Sequence, residues 1–276
     1  MNLLWIKRAG EVLFCAKKAG VRRLVIRPGA IGDFIVSIPA IECLRADYLE
    51  VWVSPANVPL VRFAHRVRAI PSTGLDLLGI THTPESLVAD LGTFDQIVSW
   101  YGANRTEFRE LVQNLGLPFR FFTALPLEGA GLHATDFYLK QVSSITHCDS
   151  DGIPKVACDV RREEFAVIHP FSGSPTKNWP LEKFREVAAS LQTTMPVYWC
   201  AGPEDPPLEG AVRIENLYEL ACWLARARLY FGNDSGITHL AAAVGTKVVA
   251  MFGPTDAAVW GPRGPNVEIR TYAWNS

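Results

Sequence analysis

The chain has 276 residues, 49% of them hydrophobic, and its 27 Lys and Arg against 28 Asp and Glu give a formal net charge of -1. That length suggests about two domains with apolar residues enough for two cores, and the balanced charge excludes a global attraction to nucleic acid, so any anion site must be local. No apolar run approaches the ~18 residues needed to span a bilayer, and no signal-peptide cleavage pattern follows the N-terminal apolar patches, so the expected location is cytoplasmic. The six cysteines, at 15, 43, 148, 158, 200 and 222, include no C-x-x-C pair. They are expected as buried thiols, with neither a zinc site nor a disulfide framework.

In chain order, residues 1–20 interleave Leu3, Leu4, Trp5, Ile6, Val12, Leu13 and Phe14 with Lys7, Arg8, Lys17 and Lys18. The pattern predicts a basic amphipathic helix, which either packs on the body of the protein or lies on an anionic membrane surface. A short buried strand over 24–26 follows, then Arg27-Pro28-Gly29-Ala30-Ile31-Gly32-Asp33 and a helix with Ile35, Ile38, Ile41 and Leu44 on its apolar face. The dinucleotide fingerprint G-x-G-x-x-G is absent from this loop. Asp33 is read either as a helix cap or as a chemical group, since α/β proteins place chemistry at the carboxyl ends of parallel strands.

Further strands are predicted over 50–53, 67–70, 95–100 and 119–122, with helices near 85–91, 104–115 and 135–145. Such alternation implies a mostly parallel sheet covered by helices. The polar stretch 146–154, with Asp149, Ser150, Asp151 and Gly152, reads as a linker. It divides the chain into 1–150 and 151–276.

The second half begins with a strand over 165–168 running into His169-Pro170-Phe171-Ser172-Gly173-Ser174-Pro175-Thr176-Lys177-Asn178-Trp179-Pro180, with Pro180 expected at the first position of a helix. Ser172, Thr176 and Lys177 suit a phosphate, by hydroxyl and by charge, although Lys177 can also be read as a solvated loop residue. A strand over 195–200 leads into Gly202, Pro203 and Glu204, where a carboxylate can accept from both hydroxyls of a ribose. A helix over 217–225 precedes Leu229-Tyr230-Phe231-Gly232-Asn233-Asp234-Ser235-Gly236-Ile237-Thr238-His239. This stretch reads as strand, tight turn and helix, with Asn233 and Asp234 as turn and cap residues and Gly245 as the stop. Ser235 and Gly236 have small side chains or none, so an anion could reach the N–H groups of the first turn and the positive end of the helix dipole. Strands over 247–252 and 267–272 complete the pattern.

The segments I-G-D-F-x-x-S-I-P-A, H-P-x-S-x-x-x-x-K-x-W-P and G-N-D-S-G-I-T-H-L-A-A-A-V-G-T followed by F-G-P-T occur in that order between residues 24 and 262. Together they resemble the lipopolysaccharide heptosyltransferase family of glycosyltransferases, family 9. The resemblance implies an α/β GT-B fold of two Rossmann-like domains facing across a cleft, an acceptor-side domain over 1–150 and a donor domain over 151–276. It further implies inverting, metal-independent transfer from a nucleotide-diphosphate sugar, an ADP-linked heptose in this family, to a glycan or glycolipid acceptor. No other cofactor is expected. Asp33 matches the aspartate of the family's G-D motif and would be the general base. Lys177 with the N–H groups of Ser235 and Gly236 would stabilise the leaving diphosphate, and Glu204 would bind the ribose.

Asp234 should repel a diphosphate unless its charge is directed elsewhere, so it is expected either to cap the helix or to accept from sugar hydroxyls. His239 matches the family's histidine and is read either as a site residue or as a satisfied helix residue. Enzymes of this fold commonly finish with a helix crossing back to the first domain, and residues 1–20 are expected to stand in for it. Two other readings stay open: a non-catalytic glycan- or nucleotide-sugar-binding module, and a sugar-nucleotide epimerase.

Overall fold

The computed structural model describes residues 20–80, 84–126 and 131–272, so the predicted leader lies, Gly20 apart, outside the described residues. Two parallel five-stranded sheets carry the architecture. The first contains β1 (Arg22–Arg27), β2 (Tyr48–Val53), β3 (Arg66–Ala69), β4 (Gln96–Ser99) and β5 (Phe119–Phe121), in the order β3-β2-β1-β4-β5. The second contains β6 (Ala166–His169), β7 (Val197–Trp199), β8 (Leu229–Asn233), β9 (Lys247–Phe252) and β10 (Val267–Thr271), in the order β10-β9-β8-β6-β7. Central strands such as β8 and β9 are largely apolar runs, and β1 is apolar over Leu24–Ile26, as burial on both faces requires.

The helices are α1 (Ile31–Cys43), α2 (Glu85–Leu91), α3 (Thr106–Asn114), α4 (Ala134–Val142), α5 (Leu181–Gln192), α6 (Leu217–Arg226), α7 (Gly236–Ala243) and α8 (Ala257–Trp260). α1 is buried continuously from Phe34 to Ile41, and α7 from Ile237 to Ala243. Helices apolar all round belong inside a protein, and these two pack on each other, with α4 on the other flank of α1. One apolar cluster therefore runs from Val25 and Val51 of the first sheet through α1 and α7 to Val167 and Val248 of the second.

Gly245 has φ +80° and ends α7 as expected. Pro180 sits one position earlier than predicted, at the N-cap of α5, and the cap of α7 is Ser235, whose hydroxyl accepts from the Thr238 N–H, not Asn233 or Asp234. Asn233 is instead consumed in joining loops: its Nδ2 donates to Pro170 O at 2.7 Å, and its Oδ1 accepts from the Trp179 N–H at 2.9 Å. α8 was not anticipated, because four residues carry no readable period.

The cysteine expectation needs correction. Cys43 and Cys148 form a disulfide with a Cα–Cα separation of 5.3 Å across 105 residues. Cys43 ends α1 and Cys148 follows α4, so the pairing arises from the side-by-side packing of those helices, which sequence spacing does not reveal. Cys158, Cys200 and Cys222 are free, and burial pushes the Cys200 thiol up to about 12. Non-reducing peptide mapping should recover a Cys43–Cys148 cross-link. Its reduction should lower stability by up to ~4.7 kcal/mol on chain-entropy grounds. Two alkylatable thiols and an unchanged melting temperature would contradict the pairing.

Candidate active site

The order of each sheet fixes where a site can form. Connections leave β1 in one direction and β4 in the other, and likewise leave β6 and β8 in opposite directions, so each sheet has a switch point at which loops diverge and open a crevice. The two crevices meet in one cavity of about 450 Å³. The turn after β1 contributes Ala30, Gly32 and Asp33; the loop after β6 contributes Gly173, Ser174 and Lys177; Asp234, Ser235, Gly236 and His239 come from the β8–α7 junction. Thr255, Trp260 and Leu125 complete the wall.

Two glycines bring these loops together. A Cβ on Gly236 would lie 2.7 Å from Ile31 Cβ and 2.9 Å from Gly32 N, and one on Gly32 would lie 3.3 Å from His239 Cδ2. The first turns of α1 and α7 thus approach backbone to backbone, which places Asp33 beside the α7 N-terminus. From the sequence, Gly236 was assigned to the approach of an anion; the structure adds that this glycine is needed for the approach of α1.

Asp33 is the third residue of α1, half-buried, and its Oδ2 accepts from the Ala30 N–H at 3.2 Å. It is both a cap and a cavity-facing carboxylate, so the two sequence readings do not exclude each other. Lys177 is not merely solvated: its Nζ donates to Asp234 Oδ2 at 2.9 Å, with the Asp234 side chain only 7% exposed. In this pair the carboxylate charge of Asp234 is turned toward Lys177. The first N–H groups of α7 have no carbonyl partner within the helix and carry its positive dipole end. His239 is held neutral, since burial pulls its imidazole down to about 4.

The structure therefore gathers Asp33, Lys177, Asp234, Ser235, Gly236 and His239 into one cavity and leaves four predicted residues off its wall. Ser172 Oγ is engaged within its own loop, lying 2.7 Å from Ser174 O and 2.8 Å from Asn178 Oδ1, which share its one proton. Thr176 is exposed and bonds to Ser174 Oγ at 2.8 Å; these two shape the loop that presents Ser174. Gly202 and Glu204 lie on the loop after β7, where Glu204 is exposed and Asp205 makes the inward contacts. Asp205 Oδ2 accepts from the Gly202 N–H at 2.6 Å and meets His169 Nε2 at 3.0 Å. Burial alone would raise the Asp205 carboxyl, but the His169 and Gly202 bonds bring it below its ordinary value. Trp260 was missed although Trp-Gly-Pro after an apolar strand is a visible signal, since nothing in the sequence says that α8 turns toward Asp33. Among the described residues, no three His, Cys, Asp or Glu side chains are grouped to hold a metal.

The family pattern described as glycosyltransferase family 9 (heptosyltransferase) matches residues 132–275. The chain is 31% identical, over an alignment of 308 residues covering 88% of it and 86% of the relative, to lipopolysaccharide heptosyltransferase 3 of Escherichia coli K12. Among solved structures, a glycosyl transferase family 9 protein from Veillonella parvula superposes with a TM-score of 0.72 at 17% identity, covering 91% of this chain and 86% of that one. E. coli heptosyltransferase WaaC with ADP superposes with a TM-score of 0.68 at 18% identity, covering 91% and 93%. These likenesses establish the GT-B fold expected from the sequence.

Proposed function

The chain belongs to glycosyltransferase family 9, and from that premise we propose that it moves a heptose from an ADP-linked donor to a saccharide acceptor of the lipopolysaccharide type. The transfer inverts the anomeric carbon and uses no metal. The observation that carries the reading is the single cavity in which a carboxylate of the first sheet, Asp33, faces a lysine and a helix N-terminus of the second, Lys177 and α7. Inversion by direct displacement needs these parts on opposite sides of the sugar: a base at the acceptor hydroxyl and positive potential at the leaving diphosphate. The name of the E. coli relative supports heptose and lipopolysaccharide, and the ADP in the WaaC structure supports the adenine nucleotide.

In this reading residues 1–150 hold the acceptor and 151–276 the donor. Asp33 removes the acceptor proton while Lys177 and the N–H groups of Ser235 and Gly236 meet the diphosphate, Lys177 exchanging part of its contact with Asp234 for phosphate oxygens. Ser172 and Thr176 support that loop, and the nucleoside runs toward Gly202 and Glu204. Asp234 and the neutral His239 line the donor sugar. A cytoplasmic location, with peripheral membrane contact through residues 1–20, belongs to the same proposal; no helix among the described residues is long and apolar enough to cross a membrane.

Release of nucleoside diphosphate, with and without acceptor, tests the class of reaction. A transferase releases ADP in step with acceptor, an epimerase releases little in either case, and a binding module releases none. Replacing Lys177 by Ala should weaken both the nucleotide-sugar and the free diphosphate by ~1.5–3 kcal/mol, because a charge-assisted contact is lost. Calorimetry reads this directly, and unchanged affinity for both ligands would remove Lys177 from the site.

A further inference from the structure

Arg27, the last residue of β1, is 1% exposed and its guanidinium is committed wholly to the protein. Nε donates to Ser37 Oγ at 3.1 Å, Nη1 to Pro28 O at 3.0 Å, and Nη2 both to Asp33 O at 2.8 Å and to the Tyr138 hydroxyl at 2.9 Å. The Tyr138 hydroxyl in turn donates to Ala124 O at 2.8 Å. The cation lies 4.7 Å from the centre of the Tyr138 ring, and it forms no ion pair with a carboxylate among the described residues. Burying a charge without a contact ion pair is unfavourable, the attraction of the nearby Asp33 carboxylate acting only through space, and an apolar side chain of similar length would fill the space at lower cost. The planar fork acts locally instead, because the bonds it makes fix the turn between β1 and the start of α1.

That turn carries Asp33. We propose that Arg27 is a positioning residue for the Asp33 carboxylate, clamping the first turn of α1 onto β1 through the Asp33 carbonyl and Ser37, and tying it through Tyr138 to α4. Helix α4 is itself fastened to the donor-side segment. The Nε2–H of its cap residue His133 donates to Gly261 O at 2.8 Å, and Asp136 takes both arms of Arg263 at 2.6 and 2.5 Å. Gly261 and Arg263 flank Pro262 immediately after Trp260, which lines the cavity. The base and the opposite wall of the site are thereby held to one helix, so the Arg27–Tyr138 contact adds a second tie, beside the α1–α7 approach at Gly236, to the distance from base to donor. The inference rests on the assignment of Asp33 as base.

Steady-state kinetics of Arg27→Lys, Tyr138→Phe, Asp33→Asn and the two double variants test it. Lysine keeps the charge but loses the fork. Arg27→Lys should retain donor KM within about twofold while kcat falls roughly tenfold to a hundredfold, as expected when a reacting group is displaced by a fraction of an ångström. Tyr138→Phe should lower kcat severalfold in the same direction. In the Asp33→Asn background neither change should cost further turnover, because a residue that acts through Asp33 has nothing left to position. Equal losses in both backgrounds, or wild-type kcat in a folded Arg27→Lys protein, would overturn the proposal. If Arg27→Lys fails to fold, the Tyr138→Phe cycle alone decides between these outcomes. Near-normal turnover of Asp33→Asn by itself would remove the base assignment and the positioning role with it, a failure distinct from an inactive Asp33→Asn combined with an unaffected Arg27→Lys.

Discussion

Asp33→Asn is expected to lower kcat by ~10²–10⁴, the usual cost of losing a general base, while leaving folding and donor affinity nearly intact. The substitution is informative because Asp33 has two roles, one in the fold and one in the proposed chemistry. Its Oδ2 accepts from the Ala30 N–H, and an asparagine oxygen can do the same, so the cap survives at a cost well below the ~1 kcal/mol of losing it altogether. The basic oxygen does not survive. Loss of turnover with an unchanged melting temperature supports the base, whereas near-normal turnover with lowered stability would reduce Asp33 to a cap.

Gly236→Ala should be almost as damaging for a different reason. The new methyl would meet Ile31 Cβ at 2.7 Å and the backbone of Gly32 at 2.9 Å, and a backbone atom cannot rotate away as a side-chain tip can. α1 and α7 must separate, which should cost ~1–3 kcal/mol of stability as overpacking. Because the movement takes Asp33 away from the α7 N-terminus, turnover should fall by roughly 10². Alanine is otherwise favoured over glycine in a helix, so any helix-propensity gain runs against this expectation. A variant with wild-type kcat and a raised melting temperature would show that the close approach of the two helices is not needed.

Much of this arrangement was legible in the sequence because the α/β alternation is local. Each of the ten strands lies within about three residues of its predicted bounds, since buried parallel strands are apolar runs bounded by glycine, proline and polar residues. The residues of three separated motifs, Asp33, Lys177 and Ser235-Gly236, were each selected from a loop at the end of a strand, and sheet order explains why such loops converge. What remained hidden depends on pairs distant in sequence. The Lys177–Asp234 contact spans 57 residues, the Arg27–Tyr138 contact 111 and the Cys43–Cys148 bond 105, and no period or cap reports them. Glu204 and Asp205 show a finer limit. Both are acidic residues in the turn after β7, and only the closure of that turn onto Gly202 N–H and His169 decides which one faces inward.

A structure of the protein with ADP tests the central claim most directly, because the claim is that one cavity joins the base to the diphosphate site. The diphosphate is predicted within hydrogen-bond reach of Lys177 Nζ and of the Ser235 and Gly236 N–H groups, with Asp33 on the far side of the space left for the sugar. ADP bound instead at the basin lined by Pro203, Asp205 and Arg213, with its phosphates away from Lys177 and α7, would contradict it.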